Sequence, residues 1–195
     1  METITIPTSE FYNLIKNGYT DLVQYVDDIT PEIQMEIIKI KPNVIKDMKD
    51  VNEDCYMMAV SINGMLLEYI ENQTYDICAR AISQNGMSIK YVKEKTPEMC
   101  KNAVEQNWQA LEFVEEQTEE ICMTAIMKNV NAFKFVKEQT EKICIEVVKV
   151  DGMLLQYVKE QTNDICICAI KQNKEAIQYV IDITQNIKGI TESNQ

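Results

Sequence analysis

Cysteine recurs at Cys78, Cys100, Cys122, Cys144 and Cys166, one residue in every 22. A column of thiols could serve as a redox ladder or a metal ladder. Spacing argues against both. Successive helical layers hold equivalent Cα atoms about 8–10 Å apart, whereas a disulfide needs less than about 7 Å. The chain has no histidine and no Cys-x-x-Cys pair, so zinc ligands at their usual spacing are missing. Cys166 and Cys168 stand two apart and point to different faces of a helix. Cysteine is also a small apolar residue that is often buried, so the column reads as core packing. No cofactor or metal is expected. Without histidine the common catalytic triads cannot be assembled, and no glycine-rich phosphate loop is present.

Carboxylates form two further columns. One runs through Glu10, Glu32, Asp54, Asp76, Glu98, Glu120 and Asp164, interrupted by Lys142. These residues fall in the first turn of a helix, where the dipole favours anions, and they need no function. The other runs through Asp28, Asp50, Glu94, Glu116, Glu138, Glu160 and Asp182. It falls at a helix C-terminus, where the dipole disfavours anions, and with the first column it makes one edge an acidic ridge. Lys93, Lys137 and Lys159 partly neutralise that ridge. It reads either as a solubilising edge or as a docking site for a basic partner centred on Glu94, Glu116, Glu138 and Glu160. A glycosidase pair would need two carboxyls at a set separation in a cleft, and a regular exposed ladder does not provide one.

Trp108 is the only tryptophan and occupies the turn where other units carry glycine. It has two readings: an interaction hot spot, or a cover over the adjacent helix end. Met57, Met65, Met87, Met123 and Met153 recur near the crossing between helices, either as an adaptable binding face or as filling for the inter-unit core. The asparagines Asn63, Asn85, Asn107, Asn129 and Asn173, with Asp151 in the same register, could form a polar binding ladder but are read as ending one helix or capping the next. Asparagine tolerates the left-handed conformation and accepts from free N–H groups. Gly64, Gly86 and Gly152 follow this column and fit a tight reversal. Tyr25, Tyr69, Tyr91, Phe113, Phe135, Tyr157 and Tyr179 are read as core or near-core.

The elements that position all these columns follow from one period. Threonine recurs at 8, 30, 74, 96, 118, 140, 162 and 184, with Asn52 filling the gap. A fixed period of this length means stacked supersecondary units, none able to bury its apolar face alone. In the unit Thr118 to Gln139, Thr118 is a good N-cap and Glu119 and Glu120 follow in the first turn. Ile121, Cys122, Ala125 and Ile126 draw one apolar helical stripe, and Ala132, Phe133, Phe135 and Val136 draw a second. The expected fold is all-α: an alpha-solenoid of about eight 22-residue helix-turn-helix repeats, each a pair of antiparallel helices of about eight to ten residues. Units begin near residues 8, 30, 52, 74, 96, 118, 140 and 162. Residues 1–7 form a lead-in, 8–183 a single array, and 184–195 a polar cap and tail. Residues 42–55 depart most from the pattern: Asp47 replaces the aromatic, Asn52 the threonine and Tyr56 the cysteine. A local loosening is expected there.

The phrases YVKEQTNDICICAIKQN and FVKEQTEKIC resemble the short helical repeats of unknown function that occur in many copies in giant DNA viruses of amoebae and in some bacteria. The resemblance runs from about Thr8 to Thr184. It implies a helical repeat array of viral origin with no established activity, and it supplies no catalytic residues.

Composition narrows the function classes. The chain is 46% hydrophobic with a net charge of −12, enough apolar content for a core and the wrong sign for a nucleic-acid backbone or an anionic membrane. Met1 to Pro7 lacks the basic flank and apolar run of a signal peptide, and no stretch is long and apolar enough to span a bilayer. Seven cysteines, an odd number, make a poor disulfide framework. A reducing intracellular compartment is expected, the host cytoplasm or a virion. The reading is a non-catalytic scaffold that binds another protein, with a virion structural role and an acidic decoy for nucleic-acid-binding proteins as alternatives.

Overall fold

The computed structural model describes residues 7–19, 22–23 and 29–182. Tyr25, Asp28, Thr184, the cap and tail at 184–195 and all of the lead-in but Pro7 lie outside these residues. The chain falls into two compact units, Met1–Gln106 and Asn107–Gln195, and each is described by itself. All regular structure among the described residues is helical.

The first unit contains the α-helices α1 (Thr8–Lys16), α2 (Pro31–Ile40), α3 (Glu53–Ile62), α4 (Tyr75–Gln84) and α5 (Pro97–Gln106). Between them run 3-10 helices at Pro42–Lys46, Gly64–Tyr69 and Gly86–Tyr91. From α2 onward each α-helix packs on the next, and each 3-10 helix packs on the next. The second unit continues with α6 (Glu119–Lys128), α7 (Glu141–Val150) and α8 (Asn163–Gln172). Its 3-10 helices are Trp108–Phe113, Val130–Phe135, Gly152–Tyr157 and Lys174–Tyr179. The arrangement within each unit is an all-α solenoid.

The cap residues carry the chemistry expected of them. The side chains of Asn52, Thr74, Thr96, Thr118, Thr140 and Thr162 each accept the N–H three residues on, satisfying one of the orphan donors of the first turn. From α4 onward four residues per α-helix face the core at positions i, i+1, i+4 and i+5, for example Ile121, Cys122, Ala125 and Ile126 or Ile165, Cys166, Ala169 and Ile170.

The second helix of each repeat differs from expectation. It is a 3-10 helix of six residues, where an α-helix of eight to ten was expected. The 3-10 advance of three residues per turn sets Phe133 and Val136 on one face, which is buried together with Ala132. Phe135 falls on a flanking face and stays partly exposed. The aromatic column as a whole lies at the edge rather than in the core, with Tyr69 and Tyr157 46% and 45% exposed. The methionines Met57, Met65, Met87, Met123 and Met153 are likewise only partly buried.

The asparagine column does end one helix and open the next, but in extended backbone. Asn85 has φ −151° and Asn129 φ −159°, so no left-handed residue is involved. Each backbone N–H closes the α-helix while the side-chain oxygen accepts the N–H two residues on, as Asn85 does from Met87. Glycine after asparagine serves close approach. A Cβ on Gly64 would lie 2.3 Å from the Ala81 carbonyl oxygen, and one on Gly152 2.4 Å from that of Ala169. At the same register Val130 stands opposite Val147. The junction of α6 and its 3-10 helix with α7, where valine takes the glycine register, packs more loosely than that of α7 with α8.

The irregular stretch at 42–55 carries a five-residue 3-10 helix, Pro42–Lys46. Asp50 has φ +48°, a left-handed position that aspartate occupies more readily than most residues. Gln34 Oε1 and Asp47 Oδ2 are buried without a partner beside it.

Candidate interaction surface

The turns between a 3-10 helix and the following α-helix are built by a glutamine that the cysteine and threonine columns had overshadowed. Gln73 Nε2 donates to the carbonyls of Leu67, Ile70 and Tyr91, and its Oε1 accepts the backbone N–H of Lys93 at 3.0 Å. Gln117 makes the same set to Leu111, Val114, Phe135 and Lys137. Gln161 reaches Leu155, Tyr179 and Ile181, and Gln139 reaches Tyr157 and Lys159. One side chain thus terminates its own 3-10 helix and pins the next. Runs of 3-10 helix beyond three or four residues are uncommon, and satisfying their last carbonyls is what sustains these.

The cysteine column belongs to the same structure. The thiols of Cys78, Cys122 and Cys166 donate to Oε1 of Gln73, Gln117 and Gln161 at 3.7, 3.8 and 3.6 Å. Burial pushes the Cys122 and Cys144 thiols up to about 11, so both stay protonated at neutral pH. A thiol held that way is a poor nucleophile. Cys168 is the one cysteine that is not fully buried.

A second glutamine, shifted in register, closes the other end of the repeat. Gln84, Gln106 and Gln172 accept the N–H of Gly64, Gly86 and Gly152, each at 2.7 Å. Gln84 and Gln172 also donate to the carbonyls of Ile62 and Val150. Where glycine gives way to Trp108 or Val130, the residue 20 positions on is Lys128 or Val150. Glycine and glutamine therefore occur as matched pairs.

The acidic residues occupy the bends outside these clasps. Glu94 lies beyond the 3-10 helix Gly86–Tyr91, in the bend rather than at the helix C-terminus. It lines a cleft of about 430 Å³ with Glu71, Tyr75 and Lys93 in the first unit. Glu116 and Glu138 line a second cleft, of about 320 Å³, with Glu115 and Lys137 in the second unit. Glu160 is exposed in the equivalent bend after Tyr157, outside that cleft. The lysines expected to neutralise the ridge are turned to the backbone. Lys93 Nζ donates to the Glu71 carbonyl, Lys137 to those of Val114 and Glu115, and Lys159 to that of Lys137. Glu94, Glu116, Glu138 and Glu160 make no ion pair among the described residues.

In the first acidic column the carboxylates meet local donors. Glu98 accepts the Tyr75 hydroxyl at 3.1 Å, and its own backbone N–H together with Thr30 holds Glu32 below the usual carboxylate range. Lys142, which interrupts the column, pairs with Glu119 of the preceding repeat.

Trp108 opens the 3-10 helix Trp108–Phe113 and is half-buried. Its ring lies 6.1 Å from that of Phe135, and Lys134 Nζ stands 5.8 Å and 4.9 Å from the two ring centres. Trp108 does not line the cleft that holds Glu116 and Glu138. No group of three or more His, Cys, Asp or Glu side chains able to hold a metal ion occurs among the described residues, and no described helix is long and apolar enough to cross a membrane.

Among known families, a model described as a domain of unknown function (DUF4116) matches residues 140–183. That span is two consecutive repeats, α7 and α8 with their 3-10 helices. Comparison with curated proteins and with solved structures gives no match.

Proposed function

We propose that the protein is a non-catalytic scaffold that binds a basic protein through its acidic bends. The observation that carries this reading is the disposition of charge in those bends. Carboxylates recur at one register beside open clefts, while the lysines next to them are spent on backbone carbonyls. The unneutralised field is then available to steer and hold a cationic surface. Modest contacts repeated along an array add up to useful affinity, and the same negative field disfavours direct contact with nucleic acid. Thiols buried and reduced in the core suit a reducing compartment. The resemblance to repeats of giant DNA viruses is what suggests a viral origin and the interior of the host cell.

The test is charge reversal at four sites. The variant E94K/E116K/E138K/E160K, at unchanged helicity, is expected to lose the partner that the wild-type chain captures from its native cells, with wild-type crosslinks falling on Lys93, Lys137 and Lys159. Undiminished capture by the variant overturns the reading.

A further inference from the structure

We infer that Tyr69 and Tyr157 are open cation–π seats for arginine or lysine side chains of the basic partner. The inference deepens the function proposed above and rests on it.

The chain itself shows how this aromatic position is used. In the 3-10 helix Gly86–Tyr91 the residue before the aromatic is Lys90, and its ammonium lies 4.4 Å from the centre of the Tyr91 ring. In Val130–Phe135 it is Lys134, which lies 4.9 Å from the centre of Phe135. Both rings are only partly exposed. In Gly64–Tyr69 and Gly152–Tyr157 the preceding residue is Glu68 or Gln156, and neither carries a positive charge. Among the described residues no ammonium or guanidinium lies over Tyr69 or Tyr157. These two rings are also the most exposed of the column among the described residues, at 46% and 45%. A geometry that the chain fills with its own lysine in two repeats lacks that lysine at Tyr69, Phe113, Tyr157 and Tyr179, and of these four rings only Tyr69 and Tyr157 are exposed.

Charge complementarity identifies the occupant. Glu68 and Glu71 flank Tyr69 in sequence, and Glu160 follows Tyr157; all three are exposed. Glu71 also lines the cleft shared with Glu94. An exposed ring with exposed carboxylates near it in sequence suits a guanidinium best, because the guanidinium plane stacks on a ring while its edge donates to a carboxylate. With a net charge of −12 on the whole chain, an arginine- or lysine-rich protein segment is the class of ligand that satisfies both groups.

The experiment titrates the full chain with an octa-arginine peptide by calorimetry. It uses the wild type, Y69L, Y157L, Y69F, Y157F and the four-site charge-reversal variant. Leucine keeps bulk and removes the π-face; phenylalanine keeps the face and removes the hydroxyl. Each leucine variant is expected to bind about two- to five-fold more weakly, and the phenylalanine variants like the wild type. If charge reversal abolishes binding while the leucine variants bind as the wild type does, the inference is overturned and the acidic-scaffold reading stands. A phenylalanine variant that loses as much as its leucine counterpart also overturns it, by pointing to the hydroxyl. Failure of the wild type to bind the peptide overturns both.

Discussion

Substituting Gln172 tests whether the glycine–glutamine clasp holds neighbouring repeats together. Gly152 is fully buried, and its N–H donates to Gln172 Oε1 at 2.7 Å. The same side chain donates to the Val150 carbonyl at 3.1 Å. Q172A removes both bonds. It leaves a buried backbone donor without its partner, which costs about 1–3 kcal/mol, while the more exposed second bond adds about 0.5–1 kcal/mol. The expected loss is about 2 kcal/mol, or roughly 4–8 °C in melting temperature for a chain of this size. G152A attacks the same junction by volume. Its Cβ would fall 2.4 Å from the Ala169 carbonyl oxygen and 2.9 Å from Gln172 Oε1, an overlap that costs about 1–3 kcal/mol. Because the two positions touch, the double variant should lose less than the sum. Lys128 occupies the register of Gln172 opposite Trp108, without the clasp, so K128A should stay within about 0.5 kcal/mol of wild type. Urea unfolding followed by circular dichroism gives the energies, and hydrogen exchange at the Gly152 amide reports the clasp locally. Should Q172A match K128A in stability, with the Gly152 amide still protected, the clasp contributes nothing and the reasoning fails.

Three further outcomes follow from the caps and thiols. T118V removes the oxygen that accepts the Ile121 N–H at 3.3 Å and should cost about 1 kcal/mol in a urea titration. Burial raises Cys122 and Cys144 from 9.0 to about 11. Between those values the unfolded chain gives up these protons first, so the native state binds more protons and loses stability as pH rises. The contribution is intact below pH 9 and falls by at most about 1.4 kcal/mol per pH unit for each thiol; a C122A/C144A variant should show a flatter profile from pH 8 to 10.5. Finally, Ellman's reagent should modify Cys168 promptly in the native protein and the six buried cysteines only on unfolding; rapid reaction of two or more thiols would contradict the packed column.

From α3 onward the α-helices were legible because three independent signals agree: a capping threonine (Asn52 at α3), acids in the first turn and an apolar pair repeated four residues on; α1 and α2 lack the side-chain cap bond, with Pro7 at the cap of α1. The 3-10 helices were not legible. Over six residues the run Ala132, Phe133, Phe135, Val136 fits a period of 3.6 as well as one of 3.0, and the choice is made by hydrogen bonds from another repeat. The asparagine column was placed correctly at the helix junctions, but its side chain caps from extended backbone, which residue type alone does not distinguish from a left-handed turn. The glutamines before Thr74, Thr118, Thr140 and Thr162 were visible in the repeat but carried no local signal of their role. Their partners lie 18 and 20 residues on, at Tyr91 and Lys93 for Gln73, so nothing local announces them. The acidic bends were legible as a column; that their neighbouring lysines face the backbone was not, since a lysine beside a glutamate reads as its counter-ion.

The matched glycine and glutamine also limit how such a chain can be shuffled. Counted from threonine to threonine, Gly152 belongs to one repeat and Gln172 to the next. A repeat duplicated, deleted or grafted at that boundary carries its glycine away and leaves its glutamine behind. The clasp survives only when the cut is moved: the 21 residues from Gly152 to Gln172 fit within one 22-residue period whose boundary falls before the glycine rather than before the threonine. Recombination between mismatched neighbours, such as a glycine-bearing repeat placed before one with valine at the register of Val150, would leave a buried N–H orphaned at the seam. The repeats look interchangeable letter by letter, yet they are fitted to their neighbours in order.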